Sequence, residues 1–171
     1  MSKDASPIVV IDTSVLINFL AVDRMDLIER CEHRFLVTDH VREEIKDYYE
    51  ERFAQFQFAL ERNIIDQIRV DGPQEVAMFA RLSSDGRLGL GECSAIAVAI
   101  NCGYNLAIDD RQAIRQARSS CGNLQILTTQ DLMVSLIRAG VLDLVEADEI
   151  KDEWSANHCF RLKIVSFREL L

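Results

Sequence analysis

Four acidic residues stand where a folded chain can gather carboxylates. Asp12 ends the β-branched run Ile8-Val9-Val10-Ile11, and Asp110 comes after Asp109 at the end of the run Asn105 to Ile108. Glu92 opens the apolar segment Cys93 to Ile100, and Glu44 lies within Val41-Arg42-Glu43-Glu44-Ile45. At about 100° per residue on a helix, Glu44 borders the stripe of Val41, Ile45 and Tyr48, whereas Glu43 points nearly opposite it. Glu44 is therefore the acid expected to face inward. Glu92 shares a face with Ile96 and Ala99. A carboxylate meeting the core has to be paired, hydrogen-bonded or metal-bound, because an isolated buried charge is very costly.

Carboxylates within a few ångströms of one another repel, and some protonate unless a cation joins them. Hard oxygen ligands without histidine or thiolate suit Mg2+ or Mn2+. The chemistry such a site supports is metal-assisted hydrolysis of a phosphodiester, with water activated for in-line attack and the leaving oxygen's charge stabilised. It needs neither a covalent nucleophile nor a general-base histidine, and His33, His40 and His158 form no HExxH or triad-like arrangement.

Each acid also has a plainer use. Asp12 or Asp109 can cap the next helix, Glu92 is favoured by a helix dipole wherever it points, and Glu44 can be a solvated helix residue. If Asp109 is a cap, Asp110 is the ligand of that pair, with Asp109 in reserve. Asp131, in Thr128-Thr129-Gln130-Asp131, is either a further acid at the site or an ordinary first-turn residue. Ser14 and Asn18 flank the first acid and are candidates to support a metal or water shell. Four acids at the appropriate ends of elements are harder to explain as four unrelated caps.

The elements that must position these acids alternate. Ile8 to Ile11 reads as a strand buried on both faces, with a helix after it over Val15 to Leu20. Phe35 to Val37 reads as a second strand, with Thr38-Asp39 capping the next helix. Val41, Ile45, Tyr48, Tyr49, Phe53, Phe56 and Leu60 recur at helical spacing and predict one long amphipathic helix. Gln67 to Val70 is a brief strand or loop, and Gln74 to Leu82 a helix. The segment after Gly89-Leu90-Gly91-Glu92 is apolar nearly all round and belongs inside the fold. Asn105 to Ile108 and Leu124 to Leu127 read as strands, each leading into a helix, the second ending near Ala139 with Gly140 as terminator. Strands alternating with helices predict a parallel sheet covered on both sides. In such sheets ligands bind beyond the carboxyl ends of the strands, where these acids lie.

The bulk properties set bounds. A chain of 171 residues suits one domain, with a core over about 8–140 and an extension over about 141–171. No apolar run reaches the roughly 18 residues of a membrane helix, and the polar Met1 to Ser6 lacks the pattern of a signal peptide. Five scattered cysteines without a CxxC pair point to buried, reduced thiols in a cytoplasm rather than to disulfides or zinc. A net charge of −9 is unlike a generic nucleic-acid binder, yet metal ions neutralise carboxylates where a phosphate enters. Gly86, Gly89 and Gly91 lack a GxxxxGK[ST] context, so turn geometry is their expected use.

Taken in order and spacing, IVVIDTSVLINFL, VREEI, GLGECSAIAVA and LAIDDRQAIRQA resemble the four acidic motifs of PIN-domain proteins. The resemblance covers roughly residues 8 to 140. The GLGE helix, the IDDR strand end and the tail over 141–171 are similar to a subgroup of toxin components resembling VapC. The resemblance implies a three-layer α/β/α fold with a central parallel sheet and a ribonuclease dependent on Mg2+ or Mn2+. Asp12, Glu44, Glu92 and Asp110 would then be the metal-binding quartet, with Asp109 adjacent. It further implies a homodimer, an RNA substrate and a small antitoxin whose C-terminal segment occupies the active-site groove. The subgroup's glycine-containing turn after the fifth strand is replaced here by Thr128-Thr129-Gln130-Asp131. Arg111, Arg115 and Arg118, one helical stripe beside Asp110, are either a holder of RNA phosphates or a solvated, salt-bridged face.

Two rival chemistries fit less well. A haloacid-dehalogenase phosphatase wants a carboxylate two residues after Asp12, where Ser14 stands, and a phospho-acceptor receiver wants an acidic pair before it. The remaining alternative is a PIN-like scaffold that binds RNA or protein without cutting.

Overall fold

The computed structural model describes residues 6–171. Its strands are β1 (Ile8–Ile11), β2 (Arg34–Thr38), β3 (Ile65–Ile68), β4 (Asn105–Ala107) and β5 (Ile126–Leu127); β3, the least apolar of them, lies two residues before the strand or loop expected over Gln67 to Val70. They form one sheet in the order β3-β2-β1-β4-β5, and every neighbouring pair is parallel. The most apolar strand, β1, takes the centre, because a parallel strand flanked on both sides is buried on both faces.

Strand alternation sends successive side chains to opposite faces, and β1 divides accordingly. Val9 and Ile11 enter one apolar cluster, Val10 the other. The first cluster is closed by α1 (Thr13–Ala21), α3 (Asp39–Tyr48), α4 (Glu50–Glu61), α8 (Thr129–Arg138) and α9 (Leu144–Asn157), with the shorter α2 (Met25–Arg30) beside them. The second is closed by α6 (Leu90–Cys102), packed on α5 (Pro73–Ser83), and by α7 (Arg111–Ser120). Layers on both sides of a parallel sheet are the three-layer α/β/α arrangement expected from the sequence.

Three further segments differ from expectation. The single helix expected from Val41 to Leu60 breaks at Tyr49, whose φ of −136° and ψ of 48° leave the helical region. The apolar spacing carries through because α3 and α4 pack on the same core, so no sequence period marks the break. Helix α2 has six residues, too few to show a period, and comes after Asp23 at a left-handed φ of 54°. The C-terminal segment packs within the first cluster: Trp154 and Phe167 are wholly buried there. Of the cysteines, only Cys93 is buried and Cys159 is exposed, contrary to the expectation of buried thiols throughout.

The chain fills β1-β2-β3 on one side, then crosses to β4-β5 on the other. The order therefore reverses between β1 and β4, and a crevice opens beyond their carboxyl ends. There the Asp12 N–H donates to the Ala107 carbonyl at 2.9 Å, tying the two strand ends together.

Candidate functional site

Asp12 leaves β1 in extended conformation and caps α1, its Oδ2 accepting from the Ser14 N–H at 3.0 Å and the Ser14 hydroxyl at 2.7 Å. The residue is 1% exposed, and its Oδ1 is buried with no hydrogen-bond partner. A buried carboxylate oxygen without a donor is rare and calls for an explanation. Burial pushes the Asp12 carboxyl up to about 6; the two Ser14 hydrogen bonds oppose the rise and the charge of Glu44 adds to it.

Glu44 turns into the crevice. Thr13 Oγ1 donates to its Oε2 at 2.8 Å, and the Gly91 N–H donates to its Oε1 at 2.8 Å. Glu43 is exposed and pairs with Arg42 and Lys46. Glycine at 91 is required by this approach, since a Cβ there would lie 2.3 Å from Glu44 Oε2. The turn-geometry expectation for the three glycines is met only at Gly86, with φ of 67°; Gly91 lies within α6, and Gly89 is its N-cap in extended conformation.

Glu92 sits in the first turn of α6, and its Oε2 accepts from the Gly89 N–H at 3.0 Å. Burial raises its carboxyl to about 7, against the pull of the Gly89 N–H, and the charges of Asp12, Asp110 and Glu44 push it further. Glu92 thus feels every other member of the expected quartet. A groove of about 350 Å³ is lined by Asp12, Thr13, Glu44, Gly89 and Glu92, with Tyr48 and Tyr49 beside them.

The Asp109–Asp110 pair divides its roles opposite to expectation. Asp110, not Asp109, is the helix cap: its Oδ1 accepts from the Ala113 N–H at 2.8 Å at the start of α7, and it is exposed. Asp109 points inward, where Oδ1 accepts from the Thr129 N–H at 2.9 Å and Oδ2 from the Thr129 hydroxyl at 2.6 Å and from Asn18 Nδ2 at 3.1 Å. Its carboxyl is raised by burial despite the Thr129 donors. The reason is the strand end, which aims one residue between α1 and α8 and leaves the next to begin α7. Asp110 does not line the acidic groove, although its charge adds to the rise at Glu92. Asp131, by contrast, is a first-turn residue: its Oδ2 accepts from the Thr128 N–H and hydroxyl.

Ser14 and Asn18 act as a frame. The Ser14 hydroxyl donates to Asp12 and accepts the Asp109 N–H at 3.0 Å, so it spans the ends of β1 and β4. Asn18 Nδ2 also reaches Thr129 Oγ1 at 3.0 Å, and the Asn18 carbonyl accepts from Trp154 Nε1 at 2.7 Å. The C-terminal helix therefore braces α1 behind the first acid. Sequence reading did not single out Thr13, Thr129 or Trp154; hydroxyls beside carboxylates were the only available signal.

Hard dications are taken by carboxylate oxygens, and an orphaned buried Oδ1 beside Glu44 and Glu92 fits that donor chemistry. Among the described residues, no three His, Cys, Asp or Glu side chains already converge as a metal-binding group. Glu44, Glu92 and Asp110 each have one oxygen accepting from a backbone N–H at a helix N-terminus. Among the described residues, no helix is long and apolar enough to cross a membrane.

A family model described as PIN domain matches residues 8–163. Among solved structures, the crystal structure of PAE2754 from Pyrobaculum aerophilum is similar, with a TM-score of 0.51 and 17% identity over 80% of this chain and 99% of that one. At that identity the likeness speaks for the fold. No curated protein matches the chain.

Proposed function

The chain belongs to the PIN-domain family, whose members are generally nucleases, and on that premise we propose that it is an endoribonuclease dependent on Mg2+ or Mn2+. The observation that carries the reading is the buried, partnerless Oδ1 of Asp12 in a groove shared with Glu44 and Glu92. Asp12, Glu44, Glu92 and Asp110 would hold the ion. When bound, it supplies an activated water and charge stabilisation for the leaving oxygen of a phosphodiester.

The chain's own residues prepare that chemistry. Ser14 fixes Asp12 through one oxygen and leaves the other free. Thr13 and Gly91 hold the Glu44 carboxylate against the start of α6. Glu92, with a carboxyl near 7, passes between protonated and ionised forms in the neutral range. Asp109 works as a structural carboxylate that joins β4 to α1 and α8. By its similarity to toxin components resembling VapC, the chain is further read as a homodimeric toxin held in check by a small antitoxin protein.

Incubation with a panel of RNAs and Mn2+ or Mg2+ tests the reading, and endonucleolytic products are expected only with metal. The scaffold reading is favoured specifically by the commitment of Glu44 and Glu92 to helix N–H groups. It gains if no RNA is cut and calorimetry detects no metal binding. For the partner, a short neighbouring open reading frame encoding a DNA-binding domain is expected.

A further inference from the structure

A second cavity, of about 560 Å³, lies between the C-terminal end of α5, the segment leading into α6, and α7. Three arginines from these three places line it: Arg81, Arg87 and Arg115. Only Arg87 meets an acid, Asp85 at 3.4 Å; among the described residues, Arg81 and Arg115 make no salt bridge. Among the described residues Asp85 is the one acid lining the cavity, so on a chain of net charge −9 three arginines there leave a local excess of positive charge. Gln112, Gln116 and Ser119 stand with Arg115 at i, i+3, i+4 and i+7 on one face of α7 and add neutral donors. Of the arginine stripe noted in the sequence, Arg115 alone enters this cavity; Arg111 and Arg118 do not line it.

We infer that this cavity is a cradle for the RNA phosphate backbone beside the bond that is cut. The inference rests on the ribonuclease reading above and extends it to how the substrate is held. Guanidinium forks match phosphate oxygens in geometry as well as charge. Among the described residues no aromatic side chain lines the cavity, so its chemistry is weighted towards phosphate rather than towards ring stacking with bases. The cavity is joined to the acidic residues along the chain at two points. Arg87 and Leu88 run directly into Gly89, which Glu92 caps, and Arg115 stands five residues, roughly 8 Å of helix, beyond Asp110. A strand with one phosphate at the carboxylates thus has its neighbouring phosphates led towards the arginines.

Fluorescence anisotropy with a labelled single-stranded oligoribonucleotide tests this, using the full chain as Asp12→Asn so that the probe stays intact. Arg81→Ala/Arg87→Ala/Arg115→Ala is expected to weaken binding at least about tenfold and to flatten the log K against log salt slope by about 2. The single exposed change Arg115→Glu, which puts folding at little risk, is expected to weaken binding in the same direction. Arg30→Ala/Lys163→Ala, elsewhere on the surface, is expected to leave affinity unchanged. If both cavity variants bind with the parent's affinity and salt slope while wild type cuts RNA, the cradle is wrong and the ribonuclease reading stands. If the parent binds no RNA and wild type cuts none, both fall. Inorganic phosphate competing as strongly per molecule as the oligonucleotide would also overturn the cradle, making the cavity a simple anion site.

Discussion

Gly91 and Glu44 occupy one another's space: the Gly91 N–H donates to Glu44 Oε1 at 2.8 Å, where a Cβ on residue 91 would stand 2.3 Å from Oε2. The obstructing atoms are the far end of a flexible side chain, so an added methyl displaces the carboxylate rather than the backbone.

Gly91→Ala is therefore expected to separate activity from stability. Alanine gains up to about 1 kcal/mol of helix propensity over glycine, offsetting the lost hydrogen bond, and Tm should stay within a few degrees of wild type. The displaced Glu44 should lower kcat/KM about tenfold to a hundredfold. Thermal melts and cleavage rates on the same preparations check this; a normal rate would show that Glu44's placement is immaterial.

The metal-free protein should lose stability as pH rises through the range where its site ionises. Asp12 and Glu92 titrate at about 6 and about 7 in the folded chain, against 3.8 and 4.5 for ordinary carboxyls. Between those limits the folded state holds more protons than the unfolded one, so stability falls from about pH 4 to about pH 7 and is level above. For the fully buried Asp12 the loss is on the order of 3 kcal/mol. Asp12→Asn should melt higher than wild type at pH 8 in EDTA and show a flatter profile, although it is inactive. Denaturant melts from pH 5 to 8 measure this, and parallel profiles would contradict the assignment of Asp12 as a strained acid.

Divalent metal should relieve the same strain. At a hundredfold excess over its dissociation constant, an ion bound only by the folded state adds about 2.7 kcal/mol, or roughly 5–10 °C in Tm for a chain of this size. The gain should shrink below pH 6, where protons compete for Asp12 and Glu92, and vanish in Glu92→Gln. Scanning calorimetry with Mn2+ and with EDTA reads it directly.

Asp109 and Asp110 should fail differently when altered. Asp109→Asn leaves Thr129 and Asn18 facing an amide, and the mismatch in this part-buried network should cost about 1–3 kcal/mol of stability. Asp110→Asn keeps a competent N-cap, so its stability should be near wild type while cleavage falls sharply. Thr129→Val, which removes a 2.6 Å hydrogen bond to Asp109, should resemble Asp109→Asn. Equal stability losses at 109 and 110 would refute the division of roles.

The parallel sheet was legible because β1 and β4 are short, largely apolar runs that lead into acids, and because α6 is apolar on every side. The inward turn of Glu44 came from helical geometry alone. The swap at Asp109 and Asp110 was hidden, because either residue of an Asp-Asp pair can cap and only the exit angle of β4 decides. The break at Tyr49 was hidden for a related reason: two helices lying on one core preserve a single apolar period. The brace from Trp154 to Asn18 spans 136 positions and leaves no trace in local pattern. The arginines of the second cavity come from three elements, so spacing along one helix revealed only Arg115.

The central claim is that Asp12, Glu44, Glu92 and Asp110 act together on RNA through a divalent ion. The most direct measurement compares RNA cleavage in Mn2+ by wild type, Asp12→Asn and Glu92→Gln, each first shown to be folded. Metal-dependent cutting by wild type, lost at least a hundredfold in both variants, is the result predicted. Cutting that persists unchanged in either variant would contradict the site.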